Sequence, residues 1–169
     1  MLIIFGGLPG TGKTSIAKRL AHQLKAAYLR IDSIEQALRN ADPTMKKIGP
    51  EGYYVAYALA TDNLALGLTV IADSVNSLAI TRQDWRDVAL KMQTLFIEVE
   101  LICSDQTVHQ ARVTERMPDI ANHQLPTWQT VITREYEPWL NDHLVIDTAT
   151  VSIDTAVQII QQNLALVCE

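Results

Sequence analysis

Residues 7–14 read Gly7-Leu8-Pro9-Gly10-Thr11-Gly12-Lys13-Thr14 and match G-x-x-x-x-G-K-[ST] at every fixed position. Each residue type in that pattern has a physical task. Glycines let successive backbone N–H groups turn inward and form an anion nest. The helix that follows adds its unpaired N–H groups and positive dipole end. A lysine at position 13 is a point charge for β- and γ-phosphates, and a threonine hydroxyl at 14 is a Mg²⁺ ligand. Only seven glycines occur, and four of them fall between positions 6 and 12. The motif follows the apolar run Leu2–Phe5 and opens a segment with apolar residues at 16, 17, 20, 21 and 24. That strand–loop–helix setting is the context the motif requires. Binding of a nucleoside triphosphate by Gly7 through Ser15 follows.

Other residues with chemical potential stand at the ends of expected elements. In an open parallel sheet, ligands sit beyond the carboxyl ends of the strands. Asp73 ends the run Leu68–Ala72, where a carboxylate holds Mg²⁺ directly or through water; as a turn residue it equally caps the next segment. Asp32 ends the run Ala27–Ile31 and, with Glu35, spells a capping box for the helix after it. Arg112 and Arg116 are four apart and share a helix face. Arginines so placed stabilise the charge on a transferring phosphoryl group; alternatively they form a solvated face with Glu115. The stretch from 112 to 125 contains a helix stop and polar residues and suits a lid. Tyr53 and Tyr57 share a face of the helix after the 40–52 loop, as pocket wall or as core. The four histidines show no metal spacing and are expected at the surface.

The elements that must position these residues alternate throughout. Strands are expected at 2–5, 27–31, 68–72, 94–103 and 144–146. Helices are expected at 14–25, 32–39, 51–66, 81–92, 105–116, 126–140 and 152–167. Residues 40–52, with Asn, Asp, Pro and Gly, read as a loop. This alternation predicts an α/β fold, a three-layer sandwich with five parallel strands in order 2-3-1-4-5, as one domain over 1–169. Glu98 and Glu100 resist the pattern, because they share one face of a strand expected to be buried. Either that strand's end opens to a cleft or its boundary lies elsewhere.

Length and composition narrow the classes. A chain of 169 residues is one domain on a scale of about 150 residues per domain. Its 48% apolar and 20% charged residues exclude a disordered chain, a collagen and a disulfide scaffold. Net charge −5 disfavours a nucleic-acid surface or an anionic membrane. Cys103 and Cys168 lack CxxC spacing, so a reducing cytoplasm fits. No apolar stretch reaches membrane-spanning length, and Leu2–Phe5 is too short for a signal-peptide core.

Gly-x-Pro-Gly-x-Gly-Lys-[ST] is a form common in small P-loop kinases. The chain resembles that group, which includes polynucleotide kinase, zeta-toxin, chloramphenicol phosphotransferase and gluconate kinase types. It is most similar to the bacterial predicted-kinase branch of the AAA-like ATPases. The resemblance spans nearly the whole chain. It rests on Gly7–Thr14, Tyr28-Leu-Arg-Ile-Asp32, Val70-Ile-Ala-Asp-Ser-Val-Asn76 with Arg82, Arg112-Val-Thr-Glu-Arg116, Leu125-Pro-Thr-Trp128 and Glu135-Tyr-Glu-Pro-Trp139. It implies an ATP- and Mg²⁺-dependent transferase that phosphorylates a hydroxyl group. Asp32 would be the general base, and Lys13, Arg112 and Arg116 would act on the phosphates. Thr14 and Asp73 would hold the metal, and Asn76 and Arg82 would line the acceptor side.

The chain departs from the polynucleotide type at one telling place. An arginine there follows the base Asp by three residues; here the position is Glu35. An acid would repel an anionic acceptor. The expected acceptor is therefore a small neutral or cationic hydroxyl compound, with nucleic acid disfavoured, no membrane partner, and the protein a monomer or homodimer. No Asp-x-x-Gly or Asn-Lys-x-Asp segment supports a GTPase switch. A regulatory or toxin–antitoxin-type ATP binder that has lost transfer is the alternative.

Overall fold

A computed structural model describes residues 1–42, 44 and 48–167. Five strands, β1 (Leu2–Gly6), β2 (Ala27–Arg30), β3 (Val70–Asp73), β4 (Phe96–Ile102) and β5 (Leu144–Asp147), form one parallel sheet in the order β2-β3-β1-β4-β5. The expected order and class hold.

The central strand shows why. Every residue of β1 is buried, so its apolar run is continuous rather than alternating. Ile3 and Phe5 point to one layer, built from α1 (Lys13–Leu24) and α7 (Ile153–Val167), and pack on Ile16, Leu20 and Ile160. Leu2 and Ile4 point to the other, built from α3 (Glu51–Ala65) and α4 (Ala79–Lys91), and pack on Ala56, Ala60 and Trp85. Each buried Leu, Ile or Phe among them contributes roughly 1.5–3 kcal/mol on burial. α2 (Ile31–Ala41) and α5 (Gln106–Glu115) lie at the carboxyl end of the sheet beside the glycine loop.

Two expectations are corrected. The helix foreseen over 126–140 is only α6, Trp128–Ile132. Glu137 N–H donates to Ser77 O at 2.8 Å, and its carboxylate accepts from Ala79 N–H. Pro138 has no N–H to continue a helix. The segment instead wraps behind the glycine loop, with Trp139 against Gly6, where a Cβ would meet the indole at 2.3 Å. Residues 40 and 41 of the expected loop belong to α2, while α3 starts at Glu51 as the helical reading of 51–66 has it. Pro43 and 45–47 of the expected loop, like Cys168, lie outside the described residues.

That wrap and α4 together account for Glu98 and Glu100, which neither foreseen alternative explains. Glu98 is buried and accepts two bonds from Arg86 Nη1, at 2.8 and 3.0 Å. Glu100 accepts from Tyr136 Oη at 2.8 Å and faces His143 Nε2 at 3.1 Å. Both carboxylates are paired, Glu98 by Arg86 of α4 and Glu100 by Tyr136 and His143 of the wrapping segment, as buried charge demands.

Candidate active site

The loop between β1 and α1 needs its glycines. Gly7 has φ +128°, and a Cβ there would sit 2.1 Å from Leu101 O. Gly10 has φ +88°, and a Cβ would meet Val113 at 2.5 Å. α5 thus lies directly against the loop, and no side chain fits between them. His109 of α5 is buried, with Nε2 2.8 Å from Pro9 O. A carbonyl accepts, so that nitrogen carries the proton. The expectation of a surface histidine fails here. The signal was its four-residue spacing from Val113, itself buried.

Lys13 begins α1 and is only 7% exposed, its ammonium donating to Leu8 O at 2.9 Å. Burial pushes its pKa down to about 8, against the pull of Asp73 and Asp32, and Arg116 and Arg134 add to the lowering. Four charged groups from four different segments therefore converge on Lys13. Thr14 Oγ1 donates to Asp73 Oδ2 at 2.8 Å, and Tyr28 Oη donates to the same oxygen at 2.6 Å. Burial, then the Asp73 charge, raises the Tyr28 phenol, so it remains a donor. Among the described residues no group of three or more His, Cys, Asp or Glu could hold a metal. One hydroxyl and one carboxylate side by side still suit Mg²⁺, which keeps waters and takes its remaining ligands from phosphates.

The residues around Lys13 line one open cleft of about 1040 Å³. Asp32, Glu35, Tyr53, Asp73, Arg112 and Arg116 all border it, with the loop residues. Asp32 lies in the first turn of α2, not at the end of β2. The N-cap position is Arg30, with no side-chain cap bond, so the expected capping box does not form. The Asp32 side chain is 43% exposed, and its ion-pair partner, Arg30 Nη2, stands 3.5 Å away. Glu35 sits one turn further, 3.3 Å from Arg39, and burial raises its pKa.

Three expected acceptor residues do not reach the cleft. Tyr57 packs edge-on to Trp85 at 4.6 Å and belongs to the core. Asn76 is fully buried, with φ +48°, and its Nδ2 donates to Phe5 O at 2.7 Å. Arg82 is neither a pocket residue nor a solvated one. It donates to Asn76 O, Glu137 O and Pro138 O and stacks 4.8 Å over Trp139. Both residues brace the loop from behind.

Arg112 and Arg116 both border the cleft, though only Arg112 lies within α5. Arg112 donates to Thr148 Oγ1 at 2.9 Å and to Thr148 O at 3.0 Å, and Thr148 Oγ1 lies 2.9 Å from Thr11 O. Arg116 stands at the C-cap of α5, where the polar segment begins. Four further residues were not foreseen: Arg30, Asp119, Arg134 and Thr148. Asp119 accepts from Lys18 at 2.6 Å and Arg30 at 2.8 Å, and the bonds from Arg30 and Lys18 hold its carboxyl well below the usual range. Arg30 had a readable signal, since it precedes Asp32 by two in a quoted segment. Asp119 had none, because its partners lie 89 and 101 residues away.

Strand order, glycine loop and paired Thr14 and Asp73 together define a P-loop NTPase fold with a nucleotide site at the carboxyl end of its sheet. The chain belongs to the AAA domain family, whose model matches residues 2–134. No curated protein matches the sequence. Solved structures do match over nearly their full lengths. A candidate kinase from Chloroflexus aurantiacus J-10-fl is 20% identical, with 98% of this chain and 96% of that chain covered and a TM-score of 0.74. Kti12 from Chaetomium thermophilum, in complex with ADP-AlF3, is 18% identical, with 96% and 98% covered and a TM-score of 0.70. A gluconokinase from Sinorhizobium meliloti 1021 is 16% identical, with 97% and 95% covered and a TM-score of 0.63. At these identities the likeness is one of fold. No helix among the described residues is long and apolar enough to cross a membrane.

Proposed function

We propose that this protein is an ATP-dependent kinase that transfers the γ-phosphoryl group to a hydroxyl of a small molecule. One observation carries the reading: Asp32, a half-exposed carboxylate with one long ion pair, faces the same cleft as Lys13 and Asp73. A mere nucleotide binder has no use for such a carboxylate. The named activity of the gluconokinase neighbour supports a small hydroxylated acceptor.

In the transfer, the acceptor oxygen forms a bond to the γ-phosphorus as the bond from that phosphorus to the β-bridging oxygen breaks and ADP leaves. Asp32 accepts the acceptor's proton. Lys13 holds β- and γ-oxygens, and Arg116 stabilises the charge spread over the moving group. Arg112, tied to Thr148, holds the nucleotide end of the cleft. Thr14 and Asp73 would hold Mg²⁺, which neutralises phosphate charge when bound. Glu35 and Tyr53 border the acceptor end, and Glu35 favours a neutral or cationic compound. The protein would work in the cytoplasm as a monomer or homodimer. The test is a screen of hydroxylated metabolites with labelled ATP and Mg²⁺. At least one acceptor is expected to take the label and to speed ATP consumption. Consumption indifferent to every acceptor would sink the kinase reading.

The segment 112–125 is proposed as a lid, its helical start fixed in α5 and its free part beginning at Arg116. Hydrogen exchange over 116–125 is expected to slow when ATP and Mg²⁺ are added. Asp119→Ala removes the bonds to Lys18 and Arg30, and should speed exchange there in the ligand-free protein. Equal protection in all three samples would count against a lid.

A further inference from the structure

β2 and β3 are parallel, with Tyr28 beside Ile71 and Arg30 beside Asp73. Tyr28 is therefore two residues short of Asp73 along the sheet, about 7 Å. Side chains on a strand lean along its direction, and the phenol spans that gap. Its hydroxyl ends 2.6 Å from Asp73 Oδ2, the oxygen that Thr14 Oγ1 also reaches at 2.8 Å. Among the described residues no hydrogen bond reaches Asp73 Oδ1.

This convergence has a chemical consequence. A carboxylate held by one donor still swings about its terminal torsion, which is broad. Two donors from opposite neighbours, α1 and β2, fix its plane and leave the second oxygen free. A hydroxyl has one proton and two lone pairs. Thr14 can therefore ligate a cation through a lone pair while its proton stays on Asp73. The phenol remains on Oδ2 whatever Thr14 does.

We propose that Tyr28 is a positioning residue for the divalent cation, fixing Asp73 so that Oδ1 is presented to the metal or its water. The inference rests on the nucleotide–Mg²⁺ reading of this cleft. Partners in the shell behind a metal ligand commonly set its affinity. The ring itself packs beside the α1–α7 core layer, so Tyr28→Phe keeps the packing and removes only the hydroxyl.

The experiment is calorimetric titration of ATP into the parent and Tyr28→Phe proteins, with and without Mg²⁺, alongside thermal unfolding of both. The parent is expected to bind ATP more tightly with Mg²⁺. Tyr28→Phe should bind metal-free ATP as the parent does, while its gain from Mg²⁺ shrinks by about three- to tenfold, the worth of one hydrogen bond. An unchanged gain overturns the proposal, whatever happens to the melting temperature. Equal weakening with and without metal overturns it too, since that marks a general structural role. If the parent itself gains nothing from Mg²⁺, the metal reading of Thr14 and Asp73 fails first and takes this inference with it.

Discussion

Asp32→Asn is expected to cut phosphoryl transfer by about 10²–10⁴, the usual contribution of a general base, while ATP affinity stays within a few-fold. The separation follows from where Asp32 stands. It borders the cleft from the first turn of α2 but makes no cap bond, so no capping role is lost with its charge. Arg30, the buried cation beside it, pairs at 2.8 Å with Asp119 and only at 3.5 Å with Asp32. An acid in a first helical turn contributes about 0.3–1 kcal/mol through the helix dipole, so the Asn variant should stay folded within roughly that margin. The measurement is labelled-phosphate transfer to an acceptor found in the screen, with ATP affinity by calorimetry. Transfer at the parent rate would make Asp32 a bystander and move the base role to Asp73. Loss of fold and ATP binding together would make it structural.

Lys13→Ala should weaken ATP binding by about ten- to a hundredfold, since a charge-assisted contact is worth roughly 1.5–3 kcal/mol. The same residue gives a pH signature. Its pKa of about 8 in the fold lies below the ordinary 10.5. Between those values the unfolded chain binds more protons, so this group's contribution to stability rises with pH across that window. Below pH 8 the charged, buried amine is a burden, and Lys13→Ala should unfold no more easily than the parent. Phosphate charge favours the protonated amine, so ATP affinity of the parent should fall as pH rises past about 8, and the alanine variant should lose that fall. Calorimetry across pH 7–10 checks both. Equal ATP affinity in the two proteins at pH 7 would overturn the assignment of Lys13.

The sheet and the glycine loop were legible because their signals are local. The run Leu2–Phe5 is apolar at every position since β1 is covered on both faces. The loop's spacing is fixed by phosphate chemistry, and the single eight-residue window Gly7–Thr14 displays it. Asp73 was legible for the same reason, standing where its strand ends. Residues whose environment comes from far along the chain were not. Arg82 is buried because Glu137 and Pro138 return to it 55 and 56 residues later. Asn76 serves Phe5 across 71 residues. Tyr57 is core rather than wall because Trp85 lies against it. Val131, Ile132, Tyr136, Trp139 and Leu140 imitate a helical stripe, yet the Glu137 N–H donates to Ser77 O, and the Glu137 and Pro138 carbonyls accept from the Arg82 guanidinium.

The imidazole of His109 has a mechanical consequence. It is bonded to Pro9 of the glycine loop and also meets Trp128 edge-on, with ring centroids 5.1 Å apart. α5 and α6, which flank the segment 116–127, are thus mounted on the same ring. The proposed lid's pivot on one side would fall at Arg116, whose ψ of 139° already leaves the helical path. On the other it would fall just before Trp128, where α6 begins. If the segment closes as the proposed lid, a span hung this way would swing like a bucket handle on two adjacent bearings, not like an arm with one free end, with its largest stroke at the middle and both ends held in register with the phosphate loop.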